Sequence, residues 1–241
     1  MKMHKEIILF SGGLDSFMTS SKLKHRVPWL FVSYGNRGCE KDLERTLALA
    51  GTIPANPRVI IDKSLDLKGW ADPNDPTEFV PHRNLLLCLV ASRYSNIIYL
   101  SGNKGDVHPD KNPWWAQDAS ATLSAQIRNL ERVIEIRSFW WNWYKTDMLK
   151  WFLKNRKDEL YLLKMTRSCY ANTELPCGEC PNCFRRWVAM TYSGIEEEHL
   201  FPPWKSDIAK LRYEDILANR SPYPKFVQET MKEMYEKFNS I

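Results

Sequence analysis

Ser11, Gly12, Gly13, Asp15 and Ser16 stand together within the stretch ILFSGGLDSFMTS, Ile8 to Ser20. Adjacent glycines let a backbone approach a ligand closely, and two hydroxyls with one carboxylate supply polar contacts around that approach. Ile7 to Phe10 reads as a short buried strand, and Phe17 to Arg26 as the start of a helix. The turn therefore joins strand to helix, where unpaired N–H groups and the positive end of the helix dipole converge. Such a turn is an anion cradle, with Ser11, Gly12, Gly13, Leu14, Asp15 and Ser16 as its candidate residues.

The second chemically suggestive spacing is Cys169-x7-Cys177-x2-Cys180-x2-Cys183. Two x2 spacings fold neighbouring thiolates around one ion, and Cys169 closes the tetrahedron. Four thiolates suit Zn²⁺ and leave no open position for a catalytic water, which makes the site structural; an iron–sulfur cluster is the rival occupant. Gly178 and Pro181 provide the tight turns, and CFRRWVAMTY, carrying Arg185 and Arg186, reads as a helix behind the knuckle. Cys39 and Cys88 stand apart and read as buried small hydrophobes.

These residues need a scaffold, and the chain alternates strand and helix patterns. Strands are expected at Trp29 to Ser33, Arg58 to Asp62, Asn96 to Gly102 and Arg132 to Arg137, and helices at Cys39 to Gly51, His82 to Ser95 and Ala119 to Leu130. This order implies right-handed crossovers and a Rossmann-like, mainly parallel five-stranded sheet with helices on both faces. Ligands of such sheets bind beyond the carboxyl ends of the strands, where Ser11–Ser16, Ser33–Gly38, Asp62–Ser64 and Ser101–Asp110 fall. The expected division is an α/β domain holding the glycine turn over residues 1–165, then a cysteine knuckle and helical tail over 166–241. Tail helices are expected at Asp207 to Asn219 and Lys225 to Phe238.

The chain has 241 residues, with 34 Lys+Arg against 29 Asp+Glu, a net charge of +5. That balance suits an anionic small molecule and lacks the concentrated basic stripe of a direct nucleic-acid binder. No stretch approaches the ~20 apolar residues of a membrane span, and Met1 to Lys5 leads into no signal-peptide core. A cytoplasmic protein without membrane attachment is expected.

A Walker A loop and the dinucleotide fingerprint G-x-G-x-x-G are both missing. SGGLDS after a strand instead resembles the PP-loop of the ATP pyrophosphatases. Further blocks extend the likeness: YGNR (Tyr34 to Arg37), FVPHRN (Phe79 to Asn84), SG followed by Asp106 and HPD, KTDMLKW (Lys145 to Trp151), and SCY leading into the cysteines. Over about Glu6 to Gly194 the chain is similar to the QueC family of 7-cyano-7-deazaguanine synthases.

The resemblance implies an ATP-dependent ligase that converts 7-carboxy-7-deazaguanine and ammonia to the nitrile preQ0, with Mg²⁺ at the ATP, zinc at the four cysteines and a tendency to dimerise. It implies that Ser11, Gly12, Gly13 and Ser16 hold the departing pyrophosphate, that Asp15 orients the loop or reaches Mg²⁺, and that Arg83 and Lys145 neutralise phosphate charge. Arg37, Asp106 and Asp110 become candidates for the deazaguanine. The chain also departs from the family: Gly38 replaces the histidine of YGQRH, the block after Gly102 is short, and a tail from about Ile195 extends past the usual end. These departures leave a second expectation, a QueC-like ligase that passes the adenylated deazaguanine to another amine, such as one on a protein, or stops at the amide.

Overall fold

The structure, a computed structural model, describes residues 3–35, 38–70, 80–171 and 173–240. Arg37 and Phe79 lie outside the described residues. Five strands form one sheet: β1 (His4–Leu9), β2 (Trp29–Val32), β3 (Val59–Asp62), β4 (Ser95–Tyr99) and β5 (Glu135–Arg137). Their order is β3-β2-β1-β4-β5, and every neighbouring pair is parallel. The order reverses between β1 and β4, so the crevice at the carboxyl end of β1 is the topological switch point where ligands of this architecture bind.

Strand alternation sends successive β1 side chains to two separate cores. Ile8 and Phe10 face one core, built with α1 (Leu14–Lys22), α2 (Cys39–Thr52), α5 (Lys145–Asn155) and α6 (Leu160–Met165); within it Phe10 stacks on Trp29 at 3.7 Å. Ile7 and Leu9 face the other, built with α3 (Arg83–Ser92) and α4 (Pro113–Gln126). Helices thus cover both faces, which a parallel sheet with apolar residues on both sides requires.

A third cluster joins α7 (Pro181–Tyr192), α8 (Asp207–Leu217) and α9 (Lys225–Asn239). Helix α7 bridges it to the sheet: Phe184, Trp187 and Val188 belong to this cluster, whereas Ala189 and Met190 belong to the core under β1.

Several boundaries differ from the sequence expectation for visible reasons. Helix α1 begins at Leu14, three residues before Phe17, because Gly13 in extended conformation serves as its N-cap. It ends before Arg26 because Lys24 and His25 adopt positive φ, placing the buried His25 ring between Ser20 (2.9 Å) and Glu159 (3.1 Å). Helix α4 begins at Pro113, with Asn112 Oδ1 accepting the Trp115 amide at 2.9 Å, and a short 3-10 turn occupies Arg128–Leu130. Strand β5 omits Arg132, whose guanidinium donates to Asn96 Oδ1 at 2.8 Å and to the Ser92 carbonyl at 2.5 Å.

Candidate active site

The turn after β1 is shaped by its glycines. Gly12 has φ +71°, and a side chain there would meet the Asp42 carbonyl at 3.0 Å. Its own carbonyl accepts the Arg167 amide at 2.9 Å, which ties the turn to the segment after α6. Ser16 Oγ donates to the Gly13 carbonyl (3.0 Å) and accepts from the Ser11 amide (3.4 Å), so this hydroxyl staples the turn. Asp15 and Ser16 sit inside the first turn of α1, where the amides of Leu14, Asp15 and Ser16 have no intrahelical partner. Asp15 does not cap the helix; Gly13 occupies that position without a side-chain bond.

Asp15 instead pairs with Lys145, the first residue of α5. The ammonium lies 3.0 Å from Oδ1 and 3.1 Å from Oδ2, and only the Oδ2 contact is aligned as a hydrogen bond. Oδ1 is buried and lacks an aligned donor among the described residues. Helix α5 starts there because Asp147 Oδ2 accepts the Tyr144 amide at 3.0 Å.

The loop after β4 closes the site from the other side of the switch point. Asn103, 2% exposed, donates to Asp15 Oδ2 (3.5 Å) and to Asp106 Oδ2 (3.1 Å), linking the two carboxylates. Asp106 also accepts the Asn103 amide (3.1 Å) and the Arg185 guanidinium (3.3 Å), with Lys111 at 3.8 Å. Burial alone would raise the Asp106 pKa; Lys111, Arg185 and Lys145 outweigh it and hold the carboxyl below its usual range. Arg185 is kept charged by the same arrangement: burial works against its charge, and Asp106, Tyr223 and Asp15 together outweigh it.

The structure thus brings Asp15, Ser16, Lys145 and Asp106 into one constellation. Arg83, at the start of α3, faces the hydroxyl of Tyr34 and lies within electrostatic reach of Tyr170, as does Arg185. Asp110 sits where the loop meets α3, its carbonyl accepting from Asn84 Nδ2 at 3.5 Å. Two participants escaped the sequence reading. Asn103 follows Ser101-Gly102 at a strand end, and Arg185 falls two positions after Cys183; only those placements hinted at them. Asp62, at another strand end, is committed to Ser64 and Tyr94 rather than to the crevice.

The aromatic run after β5 is largely structural. Trp140 is fully buried and donates to Thr19 Oγ1 at 2.9 Å, which in turn contacts Ser101 Oγ at 2.9 Å. Trp141 packs so closely on Gly102 that a side chain there would meet its ring at 2.0 Å.

The Sγ atoms of Cys169, Cys177, Cys180 and Cys183 all lie within 4.8 Å of one another, with Cys177 and Cys183 3.9 Å apart. Tetrahedral zinc with ligands at ~2.3 Å needs sulfur pairs about 3.8 Å apart, so the set fits zinc. Backbone amides of Ala171 and Cys177 donate to Cys169 Sγ at 3.3 Å each, as thiolate ligands require. Gly178, at φ +84°, has the Phe201 carbonyl 1.7 Å from where a Cβ would sit. Cys180 caps α7 and Pro181 opens it, so the knuckle fixes the start of the helix that carries Arg185.

The sequence profile of the family described as queuosine biosynthesis protein QueC matches residues 56–194, more than half of the chain. The chain belongs to the QueC family. Relatives named 7-cyano-7-deazaguanine synthase include proteins of Psychromonas ingrahamii (26% identical over 219 residues, 80% of this chain and 96% of that one) and Aquifex aeolicus (28% over 225 residues, 79% and 98%). Another, from a Nitratiruptor species, is 25% identical over 226 residues, covering 84% and 99%. Among solved structures, a predicted subunit of tRNA methyltransferase from Methanocaldococcus jannaschii aligns at 15% identity and a TM-score of 0.44, over 61% of this chain and 74% of that one. The QueC match ends at Gly194, so α8 and α9 lie beyond it. No helix among the described residues is long and apolar enough to cross a membrane.

Proposed function

We propose that the chain converts 7-carboxy-7-deazaguanine and ammonia to 7-cyano-7-deazaguanine, using ATP through an adenylated intermediate. The observation that carries the reading is the Asp15–Lys145 pair, set at the mouth of an anion-binding turn at the sheet's switch point in a chain of the QueC family. A carboxylate is a poor acyl electrophile. Its oxygen attacks the α-phosphate of ATP, pyrophosphate leaves, ammonia displaces AMP to form the amide, and a second adenylation of the amide oxygen lets it dehydrate to the nitrile.

The residues serve this sequence mainly by position and charge. Ser11, Gly12, Gly13 and Leu14 hold the departing pyrophosphate with the first-turn amides of α1, while the Ser16 hydroxyl keeps the turn in shape. Lys145, oriented by Asp15, and Arg83 neutralise phosphate charge. Mg²⁺ would screen the phosphates further, and the Asp15 carboxylate, which already meets Lys145, would be the side chain to reach it. Asp106, expected at the deazaguanine, has its oxygens on Asn103 and Arg185 and instead fixes the loop that presents Asp110 to that ligand, with Arg37 kept as a second candidate. Zinc at the four cysteines takes no part in the chemistry and anchors α7. The protein acts in the cytoplasm, as a homodimer.

Mass spectrometry of the product from 7-carboxy-7-deazaguanine, ATP, Mg²⁺ and ammonium tests the proposal. Appearance of preQ0 with AMP and pyrophosphate supports it. Accumulation of the amide alone, or of deazaguanine attached to a protein amine, overturns it in favour of a QueC-like ligase with another end point.

A further inference from the structure

Helix α9, outside the family match, packs directly on the reaction site. The Phe226 ring lies 4.8 Å from that of Tyr144, beside Lys145, and a Cβ on Gly105 would sit 3.6 Å from Val227 Cγ2. Tyr223, just before α9, stacks under the Arg185 guanidinium at 5.5 Å. Between this helix and the site remains a pocket of about 40 Å³, bordered by Lys145, Thr146, Arg185, Phe226, Val227 and Met231. Thr146 is 5% exposed, and its hydroxyl is buried with no hydrogen-bond partner among the described residues.

A buried hydroxyl without a partner carries a desolvation penalty that a small polar guest would relieve. The space suits one: about 10–15 Å³ of this kind of volume holds one water-sized molecule, so the pocket admits a molecule of that size and no side chain. Lys145 and Arg185 at its edge are paired with Asp15 and Asp106, so the pocket offers a cation no unpaired carboxylate, and stripping ammonium of its water costs more than stripping neutral ammonia.

We propose that this pocket receives the ammonia that attacks the adenylate, with Thr146 Oγ1 as its hydrogen-bond partner and Phe226 and Val227 limiting its size. The proposal rests on the functional reading above. In the step it serves, the ammonia lone pair forms the C–N bond, the acyl C–O bond breaks with its electron pair going to AMP, and nitrogen releases its extra proton to solvent. The tail thereby selects the acceptor: ammonia enters and bulkier amines do not.

The test uses the full chain with 7-carboxy-7-deazaguanine, ATP and either ammonium or methylamine. Thr146→Val should raise the KM for ammonium about tenfold, the loss of one hydrogen bond, with a smaller change in kcat, and Thr146→Ser should restore it. Val227→Ala should raise the ratio of methylamide to amide product about tenfold or more, the scale of one methyl group in a fitted pocket. The KM for total ammonium should fall as pH rises and the neutral fraction grows. Unmoved ammonium KM in Thr146→Val together with unmoved amine selectivity in Val227→Ala would make the pocket a packing gap and overturn the proposal. Wild-type pyrophosphate release with acid and ATP alone reads adenylation separately. Its absence overturns the functional reading itself, whereas its presence with both the ammonium KM and the amine selectivity unmoved overturns only the pocket.

Discussion

The guanidinium of Arg185 lies 3.3 Å from Oδ1 of Asp106, joining the helix that starts in the cysteine knuckle to the loop that closes the site. Both side chains are largely buried, with 19% and 3% of their surfaces exposed. Removing one partner of such a pair leaves the other uncompensated, at a cost of about 3–5 kcal/mol. Arg185→Ala should lower thermal stability on that scale and release the loop; a melting curve with unchanged midpoint would show that the pair does not hold the loop.

Protons should act on the same contact. The Asp106 pKa is depressed in the folded chain, so the stability it contributes is fully present above its unfolded value, near 3.9, and is lost as pH falls through the lower folded value. Acid unfolding followed by circular dichroism should show this contribution fading only below about pH 4. In Asp106→Asn that acid-dependent component should be missing, with lower stability at neutral pH.

Substitution at the Asp15–Lys145 pair should separate chemistry from folding. Asp15→Asn and Lys145→Met keep the size of their side chains, so the fold should survive with a melting midpoint lowered by the lost pair, whereas AMP formation should fall about 100-fold or more, as expected when preorganised charge is lost. AMP formation at the wild-type rate in both variants would remove the pair from the mechanism.

Metal analysis should find one zinc per chain. Cys180→Ser should lose it and, because Cys180 caps α7, should lower turnover even though Cys180 touches no reacting group. Iron with sulfide, or full activity in the metal-free variant, would contradict this.

Gly178→Ala isolates the knuckle from its ligands. No sulfur is altered, but the backbone stands at φ +84° and the new methyl would collide with the Phe201 carbonyl. Reduced zinc retention in a dialysis assay is expected; wild-type retention would show that the segment around Phe201 can shift at no cost.

Much of this was legible in sequence because the signals were local. The apolar runs of β1 and β2, the glycine pair and the cysteine spacing each depend on residues a few positions apart, and the parallel sheet covered on both faces follows from alternating strands and helices, though the strand order does not. The contacts around the site were not local. Asn103 meets Asp15 across 88 positions and Arg185 meets Asp106 across 79, and no spacing rule encodes either. The aromatic run SFWWNWYK offered too many rings to choose among; burial resolved it by placing Trp140 in the core and Tyr144 against α9. The start of α4 was obscured because Asn112 and Pro113, a cap followed by a first-turn proline, precede two tryptophans of ambiguous pattern.

Because Tyr223, Phe226 and Val227 abut residues that come together around Asp15, the site joins an early segment of the chain to a late one. During synthesis, β1 through β5 can pair as soon as Arg137 has emerged, yet the wall beside Lys145 must wait for residues past 220. A chain made only that far would carry the glycine turn without the wall that α9 sets beside Lys145. An acyl adenylate formed on such a chain would meet solvent before any amine. On the proposed reaction, the order of synthesis places the safeguard after the hazard.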